Sequence, residues 1–476
     1  MTETLIVLIV FMIALGAVGA LALAMHWGHK REQGLVPYFF YLSLLSSALA
    51  VALSSRDLSL PDELVSVATG KHPIAAWTGR FATIFMLLTC AERILHRITT
   101  PGPGRPLPKL LMFGFFTFYV ATIVSPAFFA RHPNFAHEYV HVLIIATALM
   151  LFTPKEADLS VKTMRNAIFW FLLASFAFLL VRRSHVLMTG YHGIIPFLTV
   201  RYAGLASHAN TLGPLTVIFL LCLWHRPFDN RKLTWAAGAL GMFSLILSQS
   251  KTSWISLLLA GCCFAWFRHR DEIAARLTDH RRPLVSVALV GGAMLAMLGM
   301  GMLIMFGDVG NHIAQAMNSN QGASLSSFSG RDQIWRVAQE EWDRNPVFGY
   351  GLTIWNPAFL IAIRMPFAVH AHSQFYQTAV SAGWVGVIGL IIYVAVLAYL
   401  AVRTARASGG VTLAFFVIVF IRGISEVPLS MTGIAMETLA HLMLIIVLTA
   451  YYVPSMAKRR AAVSANTPAI YAKGLA

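Results

Sequence analysis

Residues 373–401 read SQFYQTAVSAGWVGVIGLIIYVAVLAYLA, a run without a charged side chain. A helix over this run rises about 1.5 Å per residue and is long enough to cross roughly 30 Å of hydrocarbon. Backbone polar groups in lipid find no water, so a run that crosses must be helical. Similar apolar runs recur along the chain. Helices are expected over 4–25, 35–53, 74–92, 110–130, 137–152, 165–181, 207–224, 233–249, 252–267, 284–306, 373–401, 411–421 and 434–453, thirteen in all. The composition agrees: 57% of residues are apolar and 12% are charged, with a mean hydropathy of +0.68. Soluble domains carry about twice that charged fraction. Thr4 to Met25 reads as a first transmembrane helix rather than a signal peptide, because Glu3 stands where a basic n-region would and no small-residue cleavage site follows. The expected fold class is an all-α integral membrane protein. Membrane helices occupy 1–306 and 373–453, a partly helical outer loop lies at 307–372, and a cytoplasmic tail covers 454–476.

Lys and Arg number 36 against 20 Asp and Glu, a net charge of +16. Most of the basic residues fall in alternate short connections and the tail, among them Lys30, Arg31, Arg93, Arg97, Arg226, Arg231, Arg268 and Lys458. The positive-inside rule makes these cytoplasmic and sets the N-terminus outside. Topology and anionic lipid therefore account for the charge, and no nucleic-acid partner is implied. Cys90, Cys222, Cys262 and Cys263 all sit in apolar runs without a C-x-x-C pair, so they read as small buried apolar residues, with no disulfide framework and no zinc site.

The long connection 307–372 starts polar, with Asn318 to Gly322 and Ser324 to Gly330. Ser329-Gly330-Arg331-Asp332 then resembles a capping box. Ile334, Trp335, Val337, Ala338 and Trp342 recur at helical spacing against Asp332, Arg336, Gln339, Glu340 and Asp343. The spacing predicts an amphipathic helix over 331–344, stopped at Asn345-Pro346. Gly349-Tyr350-Gly351 reads as a tight turn, and His370-Ala371-His372 marks the return to the membrane. A loop this long with helical order is more often functional than not.

Topology gives no reason for the cations at the outer face. Lys251 follows Ser248-Gln249-Ser250 in a short turn, where its ammonium could hold a phosphate. Arg201 opens the stretch Arg201 to Asn210, and Arg331 sits at a helix start, where a positive charge opposes the dipole. Arg422 and Glu426 share a short turn and are expected to pair. Histidine is the side chain most readily poised as a base near neutral pH. His370 and His372 are expected to point apart, so that one at most faces a given site. Several cations, one or two histidines and few acids fit a ligand with two phosphates and a hydroxyl to be deprotonated. No G-x-x-x-x-G-K-[ST] or G-x-G-x-x-G fingerprint is present, so the phosphate is expected on a lipid rather than a nucleotide.

The ordered set Ser329-Gly330-Arg331-x-x-x-Trp335, Asn345-Pro346-x-x-Gly349-Tyr350-Gly351, His370-Ala371-His372 and Gly383-x-x-Gly386 resembles the O-antigen ligase and polymerase family (WaaL, Wzy and ExoQ-like proteins). The stretches Arg201 to Asn210 and Ser248 to Lys251 also look like that family, and the resemblance covers about 200–390. It implies a GT-C-type, inverting, metal-independent glycosyltransferase without a cofactor. The donor is a glycan on undecaprenyl pyrophosphate, and the protein sits in the bacterial inner membrane with its site facing the periplasm. By position His372 resembles the family's catalytic base. Arg331 and Lys251 resemble its pyrophosphate-holding residues, with Arg201 and His370 as further substrate-binding residues. Lys251 stands where the family usually has Arg, and Ser373 where it often has Asn. The expected reaction is polymerisation of exopolysaccharide or O-antigen repeats, with a chain-length regulator as a further partner; the alternative is ligation of finished glycan to lipid A core. A transporter or flippase for a lipid-linked sugar is the reading from another class. It would place polar groups and broken helices near the bilayer midplane, where only His141, Glu437 and His441 stand out.

Overall fold

The computed structural model describes residues 34–59, 72–99, 107–191, 198–277, 331–365 and 368–466, together with 18–26 and a few isolated positions. The expected helices over 4–25 and 284–306, and the polar start of the long connection, lie largely or wholly outside the described residues. Helices coincide with the other expected spans: α1 (Phe39–Ala52), α2 (Pro73–Thr99), α3 (Lys109–Phe129, with one π-helical turn at Val120–Val124), α4 (Glu138–Leu149), α5 (Pro154–Val181), α6 (Ala209–His225), α7 (Arg231–Ser248) and α8 (Lys251–Leu277). After the amphipathic α9 (Arg331–Arg344) come α10 (Gln374–Ala405), α11 (Val411–Ser425) and α12 (Leu439–Asn466). Among the described residues, four helices are long and apolar enough to cross a membrane by length and composition: α2, α3, α5 and α10.

Local chemistry sets several of the boundaries. Thr153 and Glu156 form a reciprocal capping box at the start of α5, with Pro154 in the first turn, where its missing N–H costs nothing. The Asn230 side chain caps α7 by accepting from Lys232 and Leu233 N–H. The 439–448 segment of α12 is almost wholly buried. A helix that is apolar all round belongs inside a bundle, and α11, α10, α5 and α4 pack around it. Outside, large apolar side chains stay exposed: Trp77, Phe81 and Ile84 on α2, Trp170 and Leu180 on α5, Ile388, Ile391 and Val402 on α10. Patches of this extent on helix after helix are what a lipid-facing surface requires, so the chain is a membrane protein. Cys90 and Cys222 are buried as expected; Cys263 is half-buried and Cys262 lies exposed on α8.

The connection back to α10 is docked by backbone hydrogen bonds. Gly383 interrupts α10 with a positive φ of 59°, and Pro346 and Val347 accept hydrogen bonds from Trp384 and Val385 N–H across that break. Tyr350 N–H donates to Val380 O at 2.7 Å, and Gly351 N–H to Ser381 O. Arg131 and His132 N–H donate to Gly349 and Tyr350 carbonyls from the other side. The expected Gly-Tyr-Gly turn is therefore wedged between the end of α3 and the broken α10. Each tryptophan of this region uses its indole N–H as a pin: Trp335 on Ala371 O, Trp342 on Pro346 O, Trp355 on Gln377 Oε1.

Candidate active site

The α6 and α10 N-termini and the α7 and α11 C-termini meet at one end of the bundle, where α9 lies against α10. Glu426 caps the end of α11 and is 7% exposed. Its Oε2 accepts from His372 Nδ1 at 3.1 Å and lies 3.6 Å from His370 Nε2. Its Oε1 holds Arg331 Nη2 at 3.0 Å, and Arg331 Nη1 donates to Ser425 O at 2.7 Å. Arg331 thus finds its partner at the end of another helix, which outweighs its small dipole cost at the head of α9.

Two expectations are corrected here. His370 and His372 do not point apart: their ring centroids are 4.2 Å apart and both address Glu426. Positions two apart share a face even on an extended chain; here His372 takes a left-handed φ of 48°, and His372 N–H donates to His370 Nδ1. Glu426, for its part, ion-pairs among the described residues with Arg331, His370 and His372. Arg422 is buried and turns its Nη1 to the Glu437 carbonyl.

An ionised carboxylate only accepts, so His372 Nδ1 carries the proton of this bond, and Nε2 is the ring nitrogen turned away from Glu426. Burial alone would raise the Glu426 carboxyl, but the His372 hydrogen bond and the neighbouring His372, Arg331 and His370 outweigh it and hold it down at about 2. Burial and the neighbouring His372 lower His370 to about 4, so it is neutral near pH 7. His370, His372 and Glu426 place three ligand-type atoms within 4.8 Å of one another. The Arg331 guanidinium on the same carboxylate works against a divalent cation there.

A second group forms around Arg201. Its strand, Val200–Tyr202, pairs antiparallel with Leu187–Thr189. Arg201 Nε donates to Ser248 O at 2.9 Å, its Nη2 bonds Asn210 Oδ1, and its guanidinium lies 4.8 Å over the Tyr191 ring. The Arg201–Ser248 bond joins the Arg201 stretch to the Ser-Gln-Ser-Lys turn. That turn is sharp because Gln249 is left-handed at the end of α7, with its amide nitrogen on Leu198 and Val200 carbonyls. Burial and the Arg201 charge lower the Lys251 ammonium, which makes no ion pair among the described residues.

His208, the N-cap of α6, links the two groups. It accepts Asn210 N–H on Nδ1. Burial, then Arg201, lower it to about 4, and Glu426, His372 and Arg331 are also within its electrostatic reach. The five expected site residues are therefore linked through neighbouring charges: Arg201, Arg331 and His372 reach His208, Lys251 lies beside Arg201, and His370 beside His372. Sequence reasoning did not assign roles to Glu426, His208 or Arg56. Arg56 is buried and donates to the carbonyls of His185, Gly204, Ala206 and Ser207, holding the chain that leads into α6. Its buried guanidinium is lowered to about 10.

Fold and site together define a helical membrane protein with a carboxylate-oriented histidine beside a group of cations. The family model described as O-antigen ligase matches residues 236–391, about a third of the chain, which include Lys251, Arg331, His370 and His372. Over that stretch the chain is similar to the O-antigen ligase family. No curated protein matches it.

Proposed function

We propose that this protein is an inverting glycosyltransferase of the GT-C type in the bacterial inner membrane. It polymerises oligosaccharide repeats carried on undecaprenyl pyrophosphate, at the periplasmic face. The observation that carries the reading is the His372–Glu426 hydrogen bond at 3.1 Å with Arg331 on the other carboxylate oxygen. Glu426 fixes the His372 tautomer, so Nε2 takes the proton of the acceptor hydroxyl as that oxygen bonds to the anomeric carbon. The bond from the anomeric carbon to the pyrophosphate oxygen breaks, and undecaprenyl pyrophosphate leaves with the electron pair. Lys251 and Arg201, with the N–H groups of Arg331 not directed at Glu426 and Ser425, stabilise the charge that grows there. Lys251 acts as a point charge rather than a planar fork. The clustering of these cations opposite the face rich in Arg93, Arg97, Arg226 and Arg268 supports the periplasmic assignment.

Ligation of finished glycan to lipid A core is the second reading, favoured by the description of the matched family. The test is the size distribution of lipid-linked glycan in a deletion strain complemented with wild type or His372→Ala. Accumulated single repeats are expected of a polymerase, and long chains stranded on the lipid of a ligase. Full rescue by His372→Ala overturns the catalytic assignment. Turnover of donor by purified protein in detergent, where no compartments exist, excludes pure transport.

A further inference from the structure

A cavity of about 620 Å³ opens beside the His370–Glu426 pair and lies within the range of small-ligand clefts. One face of α10 forms a wall, with Gln374, Gln377, Thr378 and Ser381 at successive helical turns. Trp355 and the 427–438 segment close the other sides. Among the described residues its lining mixes apolar side chains, among them Phe118, Ile123, Leu352 and Leu429, with amides and hydroxyls and holds neither Lys nor Arg; its ionisable members are His370 and Glu437. Arg201, Lys251 and Arg331 all lie outside it. Charge is thus partitioned around the histidine pair, with a cationic group on the His208 side and a hydrogen-bonding chamber without Lys or Arg on the His370 side.

The wall is built rather than loose. Gln377 Oε1 accepts from Trp355 Nε1 at 2.8 Å and from Ala371 N–H at 2.9 Å, and its Nε2 donates to Ser381 Oγ. Gln374 Oε1 accepts Leu429 N–H, and its Nε2 donates to Thr378 Oγ1. The chamber is therefore held in shape by the same residue, Ala371, that separates the two histidines. Pre-ordered amides and hydroxyls bind neutral hydroxyl-bearing ligands at low entropic cost, while an anion would find no cation to replace its water.

We infer that this chamber is the acceptor subsite, taking the uncharged sugar units of the glycan that is attacked from, with a terminal hydroxyl delivered past His370 to His372. The inference rests on the transferase reading above. It assigns substrate recognition by charge: the pyrophosphate end of the donor goes to the Arg201–Lys251 side, the neutral sugars of the acceptor to the α10 side. His370, whose Nδ1 accepts His372 N–H and whose Nε2 faces Glu426, is a hydrogen-bonding gatepost at the edge of the chamber rather than a second base.

The probe is the free repeat oligosaccharide, released by mild acid from the lipid-linked glycan of the deletion strain. Its binding to the purified full chain in detergent is read by saturation-transfer NMR and by quenching of tryptophan fluorescence. Saturable binding is expected for wild type and for His372→Ala. Thr432→Trp, at an exposed position of the lining where a large ring fills space without disturbing the packed wall, is expected to weaken it about tenfold or more. Thr378→Val, which keeps the shape and removes one hydroxyl, is expected to weaken it several-fold. Competition by inorganic pyrophosphate would make the chamber an anion site, and competition by a polyprenol a lipid site; either overturns the inference, as does binding unchanged in Thr432→Trp. Loss of sugar binding in Thr432→Trp together with full activity of His372→Ala would sink the catalytic reading and leave the subsite standing. The opposite pair of results would sink the subsite alone.

Discussion

His372 and Glu426 are 54 positions apart in sequence, yet Nδ1 of one lies 3.1 Å from Oε2 of the other. The carboxylate does not touch the place where a substrate hydroxyl would meet Nε2. It acts by fixing the ring and its tautomer, which makes Glu426 a positioning residue. Glu426→Gln keeps the size but can offer an N–H where the lone pair is needed. Transfer by purified protein is expected to fall about 100-fold in kcat with the donor KM changed little, because general-base help of this kind contributes roughly 10²–10⁴-fold. Glu426→Asp should recover part of the rate. An unchanged kcat in Glu426→Gln means the dyad is structural.

Acid should loosen the site before it unfolds the bundle. His370 is held at about 4 in the folded chain, against about 6.5 when unfolded. The folded state thus binds fewer protons between those values, so its stability is complete above about pH 6.5 and falls as pH drops towards 4. His208, also at about 4, adds to the same slope. Glu426, at about 2, contributes stability present above about pH 4.3 and lost only below it. Between pH 8 and 5 the melting temperature in detergent is expected to fall, and His370→Gln to flatten part of that fall. A slope identical in the variant would remove His370 from this account.

The parts legible in sequence were those with a local period. The apolar runs gave helices at each expected span among the described residues, and the 331–344 spacing gave α9 within its observed bounds. Arg201, Lys251, Arg331, His370 and His372 were readable as uncommon polar residues at the outer ends of apolar runs. What joins them was not. The Glu426 partnership depends on how the end of α11 meets the start of α9, and no local pattern encodes that meeting; the nearer Arg422 was the obvious and mistaken partner. A spacing of two residues allows the two histidines to share a face; the carboxylate they share, at the far end of α11, is what no local pattern announces. Arg56 carries no local signal because its partners are backbone carbonyls, which sequence does not distinguish.

Gly383 tests how the loop is attached. Its φ is 59°, and a Cβ there would sit 2.4 Å from the Val347 carbonyl carbon and oxygen. Those are backbone atoms, held in turn by the Trp384 and Val385 N–H groups, so no rotamer change relieves the clash. Gly383→Ala is expected to destabilise by about 3 kcal/mol or more, from the left-handed conformation together with overpacking. The reading is a lowered melting temperature and proteolysis within 345–372. A variant as stable as wild type would mean that the loop is not docked across the break in α10.

Arg56 should matter to activity without touching substrate. Its guanidinium serves carbonyls on both sides of the hairpin that carries Arg201. Arg56→Lys keeps the charge but presents a single ammonium, which cannot serve carbonyls of His185, Gly204 and Ala206 together. Buried carbonyls left unpaired cost about 1–3 kcal/mol each. A lower melting temperature is expected, with a donor KM raised several-fold as Arg201 and His208 lose their support. Lower stability with an unchanged donor KM would confine Arg56 to folding.

Lys251 carries the sharpest test of the donor side. The ammonium sits beside Arg201 with its own value lowered by burial and by that neighbour. Like charges so placed repel, and pyrophosphate binding relieves the repulsion. Lys251→Ala relieves it too, and is therefore expected to leave the melting temperature unchanged or slightly raised while donor KM rises about tenfold. Lys251→Arg keeps the charge and adds a bidentate fork, so donor KM should stay near wild type or fall. Raising salt should weaken donor binding in wild type more than in Lys251→Ala, since screening acts on the charge that the variant lacks. If Lys251→Ala binds donor as wild type does at every salt concentration, the pyrophosphate lies elsewhere, and Arg331 becomes the cation to examine in its place.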